Sequence, residues 1–226
     1  MQRELAMTGV IFDCDGTLLD SLNAWRGLET LLSETVRTQA TAEERAKFAT
    51  FTIPEVAQYF HEVYGLGASA ADVIRMIDDY MMDYYSHQAK ALPGVLSFLE
   101  ACASADIKMC VASSSAQKYL QAGLKCAGID QYFSHVFSVD DVGAPKREPV
   151  IFFKAQEALG TDRSTTWGID DSAYALVTLR DAGFPTIGIY NEAFGVKRET
   201  IVPVCDVVVA QLDELASYVV NAQLSF

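Results

Sequence analysis

The sequence predicts an α/β fold, a doubly wound parallel sheet with an all-helical segment inserted after the first strand. Short apolar runs alternate with amphipathic, helix-like segments over most of the chain, which is the pattern of βαβ units. Between about residue 22 and residue 88 there are helix signals but no strand-like run. The length of 226 residues allows either one domain or a domain with a smaller insert, and it provides a sizeable core.

The predicted strands and helices follow one another in βαβ order. The first strand lies at 10–12, an apolar run of β-branched and aromatic residues. Later elements are strands at 107–112, 165–169, 186–190 and 207–209, with helices at 116–126 and 173–182. Residues 1–21 and 89–226 are therefore predicted to form a Rossmann-like core domain.

The segment 22–88 is predicted to be a separate helical domain. Thr41–Glu44 and Thr52–Glu55 both have the form of a capping box, with Pro54 in the tolerated first turn. Ser69 is a candidate cap for a helix that runs through Ile74, Ile77, Met81 and Tyr84. Pro93 and Gly94 mark the return to the core domain.

Composition and charge exclude several classes of partner. A net charge of −13 and a pI near 4.5 argue against nucleic acid and against an anionic membrane. No stretch approaches the roughly 20 apolar residues that cross a bilayer, and the N-terminus carries no apolar signal core. The five cysteines are scattered, without a paired CxxC motif, as expected of free thiols in a reducing cytoplasm. The expected partner is a small molecule, and the oligomeric state stays open.

The first predicted strand ends at two carboxylates, Asp13 and Asp15, which one residue separates. Gly16 follows and permits a tight backbone exit. The carboxyl ends of parallel strands are where open α/β sheets bind their ligands. Carboxylates there attract a hard divalent cation, and one of them can act as a nucleophile.

The full string from 10 to 21 resembles motif I of the haloacid dehalogenase-like hydrolases, a hydrophobic strand followed by Asp-x-Asp-Gly-Thr-Leu/Val-x-Asp-Ser. The resemblance implies a Mg²⁺-dependent phosphomonoester phosphatase that acts through an aspartyl phosphate on a small phosphorylated metabolite, such as a sugar phosphate. Asp13 would then be the nucleophile. Asp15 would be the acid and base, and its backbone carbonyl would bind the cation.

Three more segments resemble the other motifs of this family, in order. Ser113 and Ser114 end the strand at 107–112 and would bind phosphate, as in motif II. Lys146 matches the lysine of motif III, although Arg147 stands where relatives often have proline. Asp170 and Asp171 match motif IV, where many relatives have Glu-Asp. With Asp13 and Asp15 they would form the metal site, and Asp171 matches the usual direct ligand.

The helical segment resembles the small cap domain that this family inserts after motif I. Such a cap would close over the site and select the substrate. Its residues cannot be transferred motif by motif. By their chemistry, the candidates for substrate selection are Trp25, Arg45, Lys47 and the loop at 51–52.

Other functions stay open at this point. A β-phosphoglucomutase-like phosphosugar mutase shares the motifs, but that group typically has a histidine where this chain carries Trp25. A receiver-type signalling protein also uses an acid pair, a phosphorylatable aspartate and a lysine on a parallel sheet. The helical insert and the Asp-x-Asp-Gly-Thr string argue against it. A catalytically silent binding protein is disfavoured because no motif acid is missing.

Overall fold

The computed structural model describes residues 4–41, 43–44, 48, 52–219 and 223–225. The chain forms two compact units. The first unit comprises Met1–Asp20 and Ala89–Phe226, and the second comprises Ser21–Gln88. In the first unit the chain alternates between strands and helices, whereas the described elements of the second unit are helices.

The larger unit is built on a six-stranded sheet in which every pairing is parallel. Its strands, numbered along the chain after a short strand β1 (Glu4–Ala6), are β2 (Gly9–Phe12), β3 (Lys108–Ser113), β4 (His135–Ser138), β5 (Thr166–Asp170), β6 (Thr186–Ile189) and β7 (Val207–Val209). Their order across the sheet is β4-β3-β2-β5-β6-β7, so β2 lies in the middle.

Helices connect these strands. In the larger unit they are α4 (Val95–Ser104), α5 (Gln117–Cys126), α6 (Val139–Val142), α7 (Val150–Leu159), α8 (Ala173–Asp181), α9 (Arg198–Ile201) and α10 (Asp213–Val219). The strands β2, β5 and β6 are buried along their whole length. Strands covered on both faces are typical of a parallel sheet in an α/β protein, which confirms the predicted fold class.

Two strand pairings were not predicted from the sequence. The edge strand β4 is short, and of its four residues only Ser138 is buried, so it carries no clear apolar run. The strands β1 and β8 (Gln223–Ser225) pair antiparallel, with Leu5 opposite Leu224. That contact joins segments more than 200 residues apart, and no local pattern announces such a pairing.

The smaller unit contains the helices α1 (Leu22–Thr35), α2 (Ile53–Tyr64) and α3 (Ala70–His87). Both residues of the expected capping box at the start of α2 bond reciprocally, Thr52 with Glu55. Ser69 caps α3 as predicted, accepting from the backbone N–H of Asp72. The helix runs through Ile74, Ile77, Met81 and Tyr84 as predicted, and its buried residues are Val73, Ile77, Met81 and Tyr85. No helix in the described part of the chain is both long and apolar enough to cross a membrane.

The side chain of Glu44 connects Thr41 with two tyrosines of α2. Its Oε1 accepts from the hydroxyl of Tyr59 at 2.8 Å and from that of Tyr64 at 2.6 Å. Its Oε2 accepts from the backbone N–H of Thr41 at 2.7 Å. These bonds, that of the Tyr64 hydroxyl first, lower the pKa of Glu44 from 4.5 to about 2. The charged carboxylate is therefore the form that stabilises the fold.

We expect Glu44→Gln to lower Tm by a few degrees at neutral pH, because the amide carries no charge for three donors. A carboxylate whose pKa is depressed on folding stabilises the protein above its unfolded value and loses that effect as it protonates. The difference in Tm should therefore shrink as the pH falls from about 4.5 to about 2. Circular dichroism melts across that range measure it, with the exposed Glu34→Gln as control. A constant difference across the range would contradict the assignment.

Candidate active site

Three neighbouring strands carry polar side chains at their carboxyl ends. Asp13 follows β2 directly, Ser113 ends β3, and Asp170 ends β5. The backbone N–H of Asp13 donates to the carbonyl of Ile169 at 2.8 Å, which extends the pairing of β2 with β5 by one residue. Because all three strands run in parallel, their carboxyl ends meet, and Asp13 comes within reach of Asp170.

Lys146 brings a positive charge to these acids. Its Nζ lies 2.5 Å from Asp13 Oδ1 and 2.9 Å from Asp170 Oδ2, and all three side chains are buried. The lysine sits at a corner of a β-turn, which the backbone N–H of Glu148 closes by donating to the carbonyl of Pro145 at 2.9 Å. This turn directs the lysine side chain inward.

Asp171 completes a cluster with Asp13 and Asp170, in which one carboxylate oxygen of each lies within 4.8 Å of the others. Burial raises the pKa of Asp13 to about 7; Lys146 opposes the rise, and the neighbouring Asp170 and Asp15 add to it. Burial, followed by the carboxylates of Asp13 and Asp170, raises the pKa of Asp171 to about 8. Burial beside one another thus makes Asp13 and Asp171 harder to ionise than ordinary carboxyl groups, even with Lys146 nearby.

The lysine itself stays charged. Burial alone would lower the pKa of Lys146, but the carboxylates of Asp13 and Asp170 outweigh burial and raise it. When all three carboxyl groups are ionised, they and the ammonium group leave two negative charges in a buried space, which one divalent cation would balance. All the donors are oxygens, the set that Mg²⁺ and Ca²⁺ prefer. The residues present thus fit a hard divalent cation.

The two adjacent acids of motif IV are not equivalent in their contacts. Asp170 Oδ1 accepts from the backbone N–H of Ser172 at 2.8 Å, and its Oδ2 is taken by Lys146. Asp171 Oδ1 has only a long contact of 3.4 Å with the Ser172 hydroxyl. Its Oδ2 accepts no hydrogen bond from any residue that the structure describes. Asp171 is therefore better placed to bind a cation directly, whereas Asp170 positions the lysine.

Asp15 is held by a residue that the sequence analysis did not single out. The hydroxyl of Ser115 donates to Asp15 Oδ2, and Ser115 is itself fixed by Ser138, whose hydroxyl donates to its carbonyl at 2.8 Å. Ser113 is buried, and its Oγ accepts from the backbone N–H of Ser115 at 3.2 Å. Ser114 is exposed, with no side-chain bond to any of the described residues.

Consecutive serines at 113–115 made the choice among them ambiguous in the sequence. The first expected phosphate ligand, Ser113, points into the buried loop, and the second, Ser114, faces solvent. Only the fold of the loop shows that Ser115 is the partner of Asp15. The sole signal in the sequence was that every residue of this run carries a hydroxyl.

Among the residues expected to select the substrate, Trp25 lies on α1, and its indole N–H donates to the hydroxyl of Tyr85 at 3.2 Å. Trp25 also lines a mainly apolar cavity of about 470 Å³ within the helical unit, together with Phe48, Phe60 and Ile77. Arg45, Lys47 and Phe51 lie outside the described residues. Thr52 is exposed and caps α2.

Comparison with known proteins places this arrangement in context. The family model for haloacid dehalogenase-like hydrolases matches residues 10–189. A protein of Dickeya dadantii strain 3937 named “Probable phosphatase IndB” is 29% identical over 187 residues, which is 80% of each chain. The pyrophosphatase PpaX of Bacillus mycoides strain KBAB4 is 24% identical over 183 residues, 80% of this chain and 82% of its own.

Solved structures share the same fold. The crystal structure of CbbY from Rhodobacter sphaeroides in complex with phosphate superposes with a TM-score of 0.75. The two proteins are 19% identical, and the match covers 92% of this chain and 96% of CbbY. At that identity the likeness shows the fold alone. The predicted α/β architecture and the resemblance in the motifs thus agree with both kinds of comparison.

Proposed function

Because the chain belongs to the haloacid dehalogenase-like hydrolases, we propose that it is a divalent-metal-dependent phosphatase of small phosphorylated metabolites, with Asp13 as nucleophile. The matched relatives that carry functional names, phosphatases and a pyrophosphatase, support phosphatase activity. The observation that carries the proposal is the buried group of Asp13, Lys146 and Asp171 at the carboxyl ends of adjacent strands.

The first step transfers the phosphoryl group to the protein. Asp13 Oδ1 is bonded to Lys146, whereas Oδ2 accepts no hydrogen bond from the described residues and is available to attack phosphorus. A bond forms between that oxygen and phosphorus, and the bond from phosphorus to the leaving oxygen breaks. Asp15, held by Ser115, gives its proton to the leaving oxygen.

The second step releases phosphate. Asp15, now ionised, takes a proton from a water molecule. The oxygen of that water attacks the phosphorus of the aspartyl phosphate at the same time. The bond between phosphorus and Asp13 breaks, which restores both carboxyl groups. Throughout, Lys146 lowers the cost of placing a phosphate beside the carboxylates of Asp13 and Asp170, because its charge lies within 3 Å of both.

A divalent cation held by Asp13, Asp171 and the backbone carbonyl of Asp15 would supply the further positive charge that ionised carboxylates and a phosphate require in one buried site. We propose Mg²⁺ as that cation, since oxygen ligands alone are offered. We also propose that the helical unit at 21–88 acts as the cap that excludes water and selects the substrate.

Treatment with EDTA should abolish hydrolysis of p-nitrophenyl phosphate, and added Mg²⁺ should restore it. The reason is that, without a cation, burial keeps Asp13 from ionising readily, and ionised acids of the cluster would repel the phosphate. Phosphate release and p-nitrophenol absorbance measure the effect, and Mg²⁺ should also raise the Tm of the EDTA-treated protein. Turnover that persists in EDTA would remove the cation from the mechanism.

The substrate can be narrowed by measuring phosphate release from a panel of phosphorylated metabolites and pyrophosphate. A sugar mutase is the second candidate that the motifs allow. It would convert one sugar phosphate into its isomer with little release of phosphate, which the same panel detects by chromatography. The residue at the position where such mutases carry histidine is Trp25, whose indole is engaged with Tyr85 and offers no base. This favours the phosphatase.

A further inference from the structure

We propose that Arg147 binds a second anionic group of the substrate, so that the preferred substrates carry a phosphate or carboxylate besides the phosphoryl group that is transferred. This inference rests on the proposed phosphatase function and narrows its substrate class. It concerns a residue at which the chain departs from the pattern of its family, since relatives often have proline there.

The β-turn of Pro145 to Glu148 presents two cations side by side. Lys146 and Arg147 are its two central residues, and their Cα atoms are about 3.8 Å apart. Lys146 turns into the protein and is buried, whereas Arg147 is exposed. Its guanidinium group therefore lies within roughly 10–15 Å of the lysine ammonium. A small bisphosphate or phosphocarboxylate, with a hydrogen-bond contact at each end, reaches across a separation of this order.

The guanidinium group is oriented by a ring that belongs to the same site. Its central carbon lies 4.6 Å from the centroid of the Tyr174 ring. Tyr174 is in the first turn of α8, three residues after Asp171 of the acid cluster. Arg147 thus reaches from the turn that carries Lys146 to the start of α8, which follows Asp170 and Asp171 at the carboxyl end of β5. A preoriented cation loses less freedom when it binds an anion.

The contact with the ring leaves the donors of Arg147 unused. A cation above an aromatic face is held by the ring electrons and consumes none of the five N–H groups. Among the residues that the structure describes, no carboxylate lies within ion-pair distance of this guanidinium group. The guanidinium group therefore keeps its N–H groups available for an anionic ligand.

Lys146 cannot serve a second anion. Its ammonium is buried between Asp13 and Asp170 and is required where phosphorus is attacked. A protein of net charge −13 also repels a multiply charged substrate at long range. An exposed arginine beside the site would offset that repulsion locally. Its planar fork can bind a phosphate or carboxylate with two hydrogen bonds.

The test compares matched substrates that differ in the second anion. Glucose 6-phosphate is paired with glucose 1,6-bisphosphate for a second phosphate, and ethyl phosphate with phosphoglycolate for a carboxylate. For each pair, kcat/KM of the two-anion substrate is divided by kcat/KM of the one-anion substrate. In Arg147→Ala we expect this ratio to fall about tenfold in at least one pair, mainly because KM for the two-anion substrate rises. Whichever pair responds identifies the second group. Tyr174→Ala, which frees the guanidinium group, should lower the same ratio by a smaller factor.

Arg163→Ala is the matched control. Arg163 is also exposed, and its guanidinium carbon lies 4.6 Å from the centroid of the Phe153 ring. It precedes β5 and therefore lies at the amino end of that strand, opposite the acid cluster. Its loss should leave both substrate ratios unchanged. Binding is measured without turnover by calorimetry in the Asp13→Asn background, where Arg147→Ala should weaken the two-anion ligand selectively.

The outcomes separate the two proposals. If the wild-type protein releases phosphate and Arg147→Ala leaves both ratios as they were, the inference about Arg147 is overturned and the phosphatase assignment stands. An equal fall for both members of each pair also overturns it, since the arginine would then act on the shared phosphoryl group or on the fold. If the wild-type protein with Mg²⁺ released phosphate neither from these four compounds nor from p-nitrophenyl phosphate, both proposals would be refuted.

Discussion

Replacing Asp13 by asparagine should reduce phosphate ester hydrolysis by at least about a thousandfold, because the amide oxygen is a poor nucleophile and the covalent intermediate is lost. The fold should persist, because the amide has nearly the same shape and Lys146 keeps its bond to Asp170. Initial rates with p-nitrophenyl phosphate, alongside circular dichroism of the same samples, measure the two effects.

Asp162 provides the control for this change, because it is exposed and lies before the amino end of β5, opposite the acid cluster. Asp162→Asn makes the same chemical substitution away from the acid cluster, and its activity should match that of the wild-type protein. Full activity in the Asp13 variant would show that another group attacks phosphorus. A variant that is inactive but unfolded would be uninformative by itself, and the spectra exclude that case directly.

Replacing Lys146 by methionine should both destabilise the metal-free protein and impair catalysis. The side chain is buried and is bonded to Asp13 and Asp170, so its loss leaves two buried carboxylates without a counterion. Breaking a buried pair in this way costs about 3–5 kcal/mol. The loss of one preorganised charge at the phosphate should reduce kcat by roughly a hundredfold to a thousandfold. Urea unfolding in EDTA and initial rates in Mg²⁺ measure the two quantities.

A second variant separates charge from packing. In Lys146→Met/Asp170→Asn one of the orphaned charges is removed, so part of the lost free energy of unfolding should return while activity stays low. Lys154→Met, at an exposed position on α7, is the control and should change neither quantity. If Lys146→Met were as stable as the wild-type protein, the lysine would not be the counterion of the cluster.

The strands that carry the acids were predictable because each is announced locally. The runs before Asp13 and before Asp170 are buried and apolar over their full length, and each ends abruptly at carboxylates. Position 16 required the glycine that stands there, since Gly16 has φ of +84°. Lys146 was found by its motif despite the altered neighbours, and the structure places it against Asp13.

What the sequence did not reveal depends on distant contacts. The edge strand β4 is half-exposed and is defined by its pairing to β3, not by its own pattern. Ser115 is distinguished from its two neighbours only by the direction of its side chain toward Asp15. The stacking of Arg147 on Tyr174 joins two loops whose residues lie 27 positions apart, and neither residue is unusual alone.

The helical unit leaves and rejoins the larger unit through two chain segments that are bonded to each other. Leu19 bridges to Ala91, the backbone N–H of Asp20 donates to the carbonyl of Lys90 at 2.9 Å, and that of Leu92 donates to Leu18 at 2.9 Å. These bonds hold residues 18–20 against residues 90–92 within the larger unit, and none of them involves a residue of the inserted helical unit. Evolution could therefore exchange or enlarge the insertion without disturbing the strand register that places Asp13 and Asp170 side by side.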